Sequence, residues 1–209
     1  MAYESVPDGE LAAVVTYLEM LAPREAPVPS SPLALRRIEH PDPAAYRRLF
    51  RLVGARWLWF SRLVMDDDAL AAIIGHPRVE LHSVLDSAGD EVGLLELDFR
   101  QGGECELAFI GLVPELAGQG HGRWLLAEAL RLAWRQDDGL GGIARVHVHT
   151  CTLDHPAALP AYRRAGFTAY RRAIERFPDP RLLGILAADC APQLPVVGTL
   201  ASAAPPPAS

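Results

Sequence analysis

Apolar and polar residues along most of the chain follow the periods of short strands and amphipathic helices. Three segments in the middle alternate like half-buried strands, and the connectors between them, SAGD and QGG, are turn sequences. These segments are VELHSVLD (79–86), EVGLLELDFR (91–100) and ECELAFIGLV (104–113). Because the connectors are so short, we expect the three strands to form an antiparallel meander.

Helical periods and capping residues predict four helices around this meander. The first begins at Asp42 and Pro43, a capping residue followed by a proline at the first helical position. The second opens with three aspartates at 66–68, which suit the positive end of a helix dipole; a rim that attracts a cationic substrate is the alternative. The other helices are predicted at 122–135, ended by DDGLGG, and at 155–165; further strands are predicted at 33–39, 145–152 and 167–177.

This order of strands and helices predicts a mixed α/β sheet with helices packed on it, formed by residues 33–183. Residues 1–32 precede it: 10–21 fit a strand or a helix, and the proline-rich stretch that follows fits a connector. Residues 184–209 are expected to be a largely disordered extension. From Ala191 onward this extension has neither a charge nor a hydrophobic period.

Composition narrows the class of protein. The chain has 209 residues, of which 50% are hydrophobic and 22% charged, enough for a sizeable core without disulfides. No apolar run approaches the roughly 20 residues of a membrane-spanning helix, and the first residues lack a basic segment before an apolar one, so we expect a cytoplasmic protein. The formal net charge of −6 argues against a nucleic-acid partner. All 20 basic residues are arginine, which indicates coding in a GC-rich bacterial genome.

The cysteines and histidines do not form a metal-binding pattern. Cys105, Cys151 and Cys190 have no C-x-x-C spacing, which favours buried thiols in a reducing compartment. His147, His149 and Cys151 alternate on one predicted strand, but side chains two residues apart on a strand lie about 7 Å from each other. We therefore expect no metal.

The segment LVPELAGQGHGR (112–123) carries the most informative chemistry. It joins a predicted strand to a predicted helix, and Gly118, Gly120 and Gly122 allow successive backbone N–H groups to face one anion, such as a pyrophosphate. A plain tight turn is the alternative. The segment contains neither G-K-[ST] nor G-x-G-x-x-G, which disfavours nucleotide kinases and dehydrogenases.

Two blocks of sequence together resemble the GNAT superfamily of acyl-CoA-dependent N-acetyltransferases. The first, V-P followed by A-G-Q-G-H-G-R and a helix, is similar to the family's R/Q-x-x-G-x-G/A pyrophosphate loop. The second, HPAALPAYRRAGF, is similar to its late helix with a tyrosine and a terminal G-F. The resemblance spans about residues 33–177. It implies the GNAT fold, a mixed central sheet of about seven strands flanked by about four helices, here with an extra N-terminal segment.

The resemblance implies an acetyl-CoA site built mainly from the main chain. Backbone groups of Leu112 and Val113 would pair with the pantetheine arm like an added strand. The pyrophosphate would lie on the loop backbone of Gly118, Gln119, Gly120, His121, Gly122 and Arg123. The chain departs from the family at Ala117, where R/Q is usual, and at His155, where many members have an asparagine that helps align the late helix and the cofactor. We expect a less organised loop that still binds.

The resemblance also implies catalytic residues. Tyr162 holds the position of the phenol that protonates the departing CoA thiolate, and a tyrosine that only packs in the core is the alternative. Glu106 falls where several members place a general base, and a half-buried strand position is expected to raise its pKa toward neutrality. Glu104 is the fallback base, and a solvated or salt-bridged Glu106, with a water as the base, stays open. His149 and Cys151 are expected to line the acetyl-transfer centre, although direct transfer needs no covalent Cys151 nucleophile.

The acceptor site is expected between the first two helices, a region that commonly shapes it in the family. There, ARWLWFSRLVM (55–65) supplies Trp57, Trp59 and Phe60 as an aromatic wall, with core packing as the alternative. An arginine of this segment, Arg56 or Arg62, would pair with an acceptor carboxylate.

We therefore predict an N-acyltransferase that moves an acetyl group from acetyl-CoA to a primary amine, acting as a monomer or homodimer without a membrane partner. A non-catalytic acyl-CoA-binding or sensing domain of the same fold is the alternative, which Ala117 and His155 allow. An interaction module built on the N-terminal strand and the proline-rich tail is a third.

Overall fold

The computed structural model describes residues 3–24, 26–135 and 142–199, and this part of the chain holds seven strands and four α-helices. The strands are β1 (Glu10–Met20), β2 (Ala34–Arg37), β3 (Val79–Leu85), β4 (Glu91–Asp98), β5 (Glu104–Leu112), β6 (Arg145–Cys151) and β7 (Thr168–Pro178). The helices are α1 (Pro43–Gly54), α2 (Asp67–Ile74), α3 (His121–Ala133) and α4 (Ala158–Ala165). The predicted fold class is confirmed. No helix in the described ranges is long and apolar enough to cross a membrane.

All seven strands belong to one sheet, in the order β2-β3-β4-β5-β6-β1-β7. The predicted meander is confirmed, because β3, β4 and β5 pair antiparallel in succession. Strands β5 and β6 run parallel. The sheet is therefore mixed, and its one parallel pair among the described residues lies in the middle.

The N-terminal strand β1 is an interior strand of this sheet. It pairs antiparallel with β6 on one side and with β7 on the other, over nearly its whole length on the β7 side. Buried Val15 and Leu18 anchor it in the core, which decides the strand interpretation of residues 10–21 over the helical one. The boundary drawn after residue 32 from the sequence thus separates β1 from the other strands of the same sheet.

Helices α1 and α2 begin where their capping residues predict. Asp42 accepts a hydrogen bond from the Ala45 N–H at 2.8 Å, and Asp66 accepts one from the Ala69 N–H at 2.7 Å, so each satisfies an N–H that lacks an intrahelical partner. Asp66 therefore has the capping role. Helix α3 ends at Ala133, and most of the predicted DDGLGG stop lies outside the described residues.

Helices cover both faces of the sheet. Helices α3 and α4 pack on one face through residues such as Trp124 and Tyr162, against Leu95 and Val148 of the strands. Helices α1 and α2 pack on the other face, where Phe50 and Leu70 meet Leu81 and Leu94. This layering explains the nearly unbroken burial of β3 and β4, which lie between both layers.

A third buried cluster ties the C-terminal extension to the sheet. Leu186 and Ala191, which belong to the segment expected to be disordered, are buried beside Ala13 and Leu58. Arg181 causes this order: it is paired with Asp179, and its guanidinium also donates to the carbonyls of residues 190, 191 and 194. Residues 200–209 lie outside the described part of the chain.

Candidate active site

An opening between β5 and β6 is the feature around which the candidate site is built. The two strands pair only from Glu104 to Glu106, and beyond that point β5 continues along β4 while β6 continues along β1. The register between β4 and β5 shifts at Ala108, because Leu97 faces Leu107 whereas Glu96 faces Phe109. A β-bulge of this kind bends its strand, so the strands diverge.

The opening has a line of backbone groups along its β5 side. The Val113 N–H donates to the Val92 carbonyl at 2.9 Å, and in an antiparallel ladder the direction of these groups alternates along the strand. Ile110 and Leu112 therefore direct their N–H and C=O groups away from β4. Val113, expected to pair with the pantetheine arm beside Leu112, has its N–H bonded to β4, whereas the outward backbone groups on this strand belong to Ile110 and Leu112.

The glycine loop that follows β5 forms a cradle at the start of α3. Gly118 and Gly120 have φ of 78° and 86°, conformations that favour glycine, and Gly120 caps the helix. A Cβ added at Gly118, Gly120 or Gly122 would meet no heavy atom within 4 Å, so the space beside the loop is open. The first N–H groups of a helix lack partners four residues earlier and attract anions; here the Arg123 N–H donates to the Gly120 carbonyl at 3.1 Å, which leaves the preceding residues of the loop to hold an anion. These residues fit a pyrophosphate.

Side chains of the loop are held in place by neighbouring groups. Nε2 of Gln119 donates to the Glu115 carbonyl at 2.9 Å, and Nδ1 of His121 lies 3.1 Å from Oγ of Ser31, in the proline-rich connector. Arg123, on the first turn of α3, is exposed. The connector therefore supports the loop that lacks the usual R/Q side chain at Ala117.

Tyr162 lies on α4 and is buried, with 8% of its surface exposed. Its ring meets that of Phe167 edge to face at 5.8 Å. Burial, together with the negative charge of Asp154, raises the pKa of Tyr162 above its ordinary value. The phenol therefore stays protonated, as a proton donor must.

His155 precedes α4 and serves the turn that leads into the helix. Its Nδ1 accepts from the Ala157 N–H at 3.0 Å, which explains why the helix begins at Ala158 and not at residue 155 as predicted. Its ring packs edge to face on Trp57 at 5.0 Å. The imidazole thus aligns the start of α4, which is one part of the task expected of the family's asparagine.

Carboxylates of β5 meet histidines and an arginine of β6 where the strands pair. We call this group the Glu–His ladder: Glu104, Glu106, Arg145, His147 and His149. Oε1 of Glu106 lies 3.4 Å from Nδ1 of His149, and Oε2 of Glu104 lies 3.5 Å from Nε2 of His147. Arg145 bridges Glu104 at 2.9 Å and Glu19 of β1 at 2.8 Å. The ladder therefore joins three neighbouring strands.

The ladder changes the expected role of Glu106. The hydrogen bond with His149 lowers the pKa of Glu106, the reverse of the increase expected from a half-buried position. The same bond raises the pKa of His149. Glu106 is therefore the salt-bridged carboxylate that the sequence left open, and Glu104, the fallback base, is bound to Arg145.

Asp154 is a structural residue of the site that the sequence pattern did not single out. Its carboxylate accepts from Thr150 Oγ1 at 2.7 Å, from the Cys151 N–H at 2.8 Å and from Trp59 Nε1 at 3.3 Å. It thereby fixes the end of β6 to the segment between α1 and α2. An aspartate three residues after a strand is a weak turn signal, and nothing in the sequence places Trp59 beside it.

Cys151 does not have the environment of a nucleophile. Its Sγ accepts from the Leu153 N–H at 3.4 Å, and burial raises its pKa to about 11. Very little thiolate is then present at neutral pH. No group of three or more histidine, cysteine or acidic residues in the described ranges could hold a metal ion.

The three aromatic residues predicted to form a wall point in different directions. Trp57 packs on His155, Trp59 packs on Phe109 at 5.2 Å, and Phe60 packs on Phe177 at 5.0 Å. Trp59, also bound to Asp154, lies at the junction of β5 and β6. Trp57 and Phe60 pack in separate places, on His155 and on Phe177, which agrees with the alternative that these rings serve core packing.

Arg62 is not available to an acceptor carboxylate. Its NH2 group donates to Glu96 Oε1 at 2.5 Å, and Glu96, which is fully buried, also accepts from Tyr46 Oη at 2.5 Å. The guanidinium packs over the ring of Phe109. Arg56 packs over the Trp57 ring and is exposed, so the prediction that an arginine of this segment pairs with an acceptor carboxylate now rests on Arg56.

Comparison with known families agrees with this geometry. The model of the GNAT acetyltransferase family matches residues 39–167, and the chain belongs to this family. No curated protein matches the chain. The match contains the glycine loop, the Glu–His ladder and Tyr162, but not strand β1.

Several solved structures share the fold at low sequence identity. A GCN5-related N-acetyltransferase from Sphaerobacter thermophilus has 17% identity and a TM-score of 0.55, over 79% of this chain and 51% of its own. An aminoglycoside acetyltransferase from an uncultured soil metagenomic sample has 18% identity and a TM-score of 0.53, over 69% and 93%. A spermidine N-acetyltransferase chimera from Vibrio cholerae and hSSAT has 21% identity and a TM-score of 0.51, over 70% and 93%. The chain thus spans about half the length of the first.

Proposed function

We propose that this chain is an acyl-CoA-dependent N-acyltransferase that transfers an acetyl group from acetyl-CoA to a primary amine by direct attack in a ternary complex. The opening between β5 and β6 is the observation that carries the proposal. Its β5 side offers the outward backbone groups of Ile110 and Leu112, and β5 leads to the glycine loop at the start of α3. A strand edge followed by a helix N-terminus suits an extended chain that ends in a pyrophosphate.

The chain's own residues supply binding and proton transfer. Acetyl-CoA, when bound, supplies an acyl group activated as a thioester. The ammonium of the acceptor loses a proton to a base, its nitrogen forms the bond to the thioester carbon, and the C–S bond breaks with its electrons on sulfur. Tyr162 gives its hydroxyl proton to that thiolate. The nitrogen loses a second proton as the amide forms. One of its two protons replaces the one that Tyr162 gave to CoA, and the other is released to solvent in each turnover.

An amine acceptor agrees with the charge at the Glu–His ladder. Three carboxylates, those of Glu19, Glu104 and Glu106, meet Arg145 there, and Arg171 lies nearby over Tyr17, so negative charge is in excess when the histidines are neutral. A positively charged acceptor is attracted by such a surface. Proteins with this fold include an aminoglycoside acetyltransferase and a spermidine N-acetyltransferase, and each is named after an amine compound.

Calorimetry with acetyl-CoA, followed by measurement of CoA release with a panel of amines, tests the proposal. We expect binding, and release with at least one class of amine. Binding without release on any amine would favour a sensing domain, and absence of binding would refute the role of the glycine loop.

Tyr162→Phe tests the acid. We expect kcat to fall about 10²-fold, because the variant removes the proton donor and keeps the ring. Acetyl-CoA affinity should be unchanged. Tyr3→Phe is the control, since Tyr3 is 91% exposed. An unchanged kcat in Tyr162→Phe would assign Tyr162 to core packing alone.

A further inference from the structure

His149 lies at the mouth of the β5–β6 opening with one edge of its ring turned to a carboxylate. Its Nδ1 is 3.4 Å from Glu106 Oε1, and half of its side chain is exposed. An imidazole has its two nitrogens on different edges of the ring, so the contact through Nδ1 leaves Nε2 directed elsewhere. His149 is thus both held by Glu106 and accessible from solvent.

Strand β1 holds the same ring from the other side. Tyr17 is the residue directly opposite His149 in the pairing of β1 with β6, and their ring centroids are 5.8 Å apart. The guanidinium of Arg171, on β7, packs over the ring of Tyr17, with its Cζ 5.1 Å from the ring centroid. The orientation of His149 is therefore set by Glu106 on one neighbouring strand and by Tyr17 on the other.

We propose that His149 is the base of the reaction, with Glu106 as the carboxylate that orients its ring and Tyr17 as a positioning residue. This inference rests on the proposed function. The acceptor's ammonium passes its proton to Nε2 of His149, and the electrons of that N–H bond become the lone pair that attacks the thioester. The imidazolium, stabilised by Glu106, then releases its proton to solvent. Glu106 stays ionised throughout.

Electrostatics favour the histidine over the carboxylate. The hydrogen bond between them raises the pKa of His149 and lowers the pKa of Glu106, so His149 is the stronger base of the pair. An alkyl ammonium has a pKa near 10.4, and a stronger base takes its proton more readily. The charged and titratable groups around His149 are Glu106 on β5, His147 on β6, Tyr17 on β1, Arg171 and Glu175 on β7, and Asp154 in the loop after β6.

The pH profile of kcat separates the two candidate bases. We expect wild-type kcat to fall on the acid side with a pKa in the range of a histidine, above the ordinary 6.5. If Glu106 were the base, that limb would lie below 4.5. His149→Gln should lower kcat about 10²-fold and remove the limb. His40→Gln, at an exposed histidine outside the site, is the control and should keep both the limb and kcat.

Glu106→Gln distinguishes orientation from proton transfer. Without the carboxylate the imidazolium is less stable, so the pKa of His149 falls and the acid limb moves to lower pH, with a reduced plateau. Tyr17→Leu should lower kcat with little change in the KM for acetyl-CoA, whereas Tyr17→Phe, which keeps the ring, should restore it. A His149→Gln variant with wild-type kcat would overturn the inference.

An NMR titration of the His149 ring gives a readout that needs no turnover. We expect its pKa to lie above 6.5 in the full chain and to fall in Glu106→Gln, with the backbone amide signals of β6 reporting local integrity. An identical titration in both proteins would refute the pairing. If the ring titrates as expected but the wild type releases no CoA with any amine, the proposed function fails; if the wild type turns over and His149→Gln does too, the assignment of the base fails.

Discussion

The buried group Tyr46–Glu96–Arg62 offers a quantitative test of what holds the sheet against α1. Glu96 has no exposed surface and accepts 2.5 Å hydrogen bonds from Tyr46 and from Arg62. Arg62→Met keeps an apolar stem over Phe109 and removes the cation. The change leaves a buried carboxylate whose charge no guanidinium balances.

The expected loss of stability follows from that burial. Removing one partner of a buried ion pair costs about 3–5 kcal/mol, out of a total free energy of unfolding of roughly 5–15 kcal/mol for a domain. For a chain of this length each kcal/mol changes Tm by about 2–4 °C, so Tm should fall by about 6–20 °C. Arg36→Met is the control. Arg36 is exposed and its partner Glu91 is only partly buried, so that variant should lose at most about 1 kcal/mol.

Urea unfolding at pH 7, followed by tryptophan fluorescence, measures both losses under the same conditions. The double variant Arg62→Met/Glu96→Gln should be more stable than Arg62→Met, because the glutamine carries no charge and still accepts from Tyr46. The reasoning is refuted if Arg62→Met loses no more stability than Arg36→Met, or if the second substitution recovers nothing.

Two further predictions concern the loop and the first helix. Gly120→Val forces a β-branched residue into φ of 86° and should raise the KM for acetyl-CoA by about tenfold or more, measured by initial rates. Gly122→Ala, at a helical position with open space beside it, should leave this KM unchanged. Asp42→Ala removes the cap of α1 and should lower the free energy of unfolding by about 1 kcal/mol, with Asp42→Asn recovering most of it in the same urea assay. Equal KM values for the two glycine variants, or an Asp42→Ala variant as stable as wild type, would contradict these expectations.

Local chemistry predicted the elements whose signals lie within a few residues. Asp42 and Asp66 begin their helices as expected, since a cap depends only on the next three residues. Alternation and short connectors predicted the β3–β4–β5 meander for the same reason. The glycine loop also belongs to this class, because Gly118 and Gly120 need positive φ wherever the strand ends and α3 begins.

Features that depend on contacts between residues distant in sequence could not be predicted from local sequence patterns. Residues 10–21 became a strand because β6 and β7, more than 120 residues away, pair with them on both sides. The pKa of Glu106 fell because the parallel register brings His149 beside it. The Val113 N–H points toward β4 because the pairing with the neighbouring strand, here at Val92, decides to which side each N–H of a strand is directed.

Strand β1 links these observations to catalysis. It lies outside the residues matched by the family model, yet it pairs with β6 from Val15 to Met20, whereas β5 pairs with β6 at only three positions. The opening between β5 and β6 removes support from one edge of β6, and β1 supplies that support on the other edge. Because Tyr17 and Glu19 extend from this strand into the Glu–His ladder, a part of the chain outside the family match sets the geometry of the residues that we propose to move the proton.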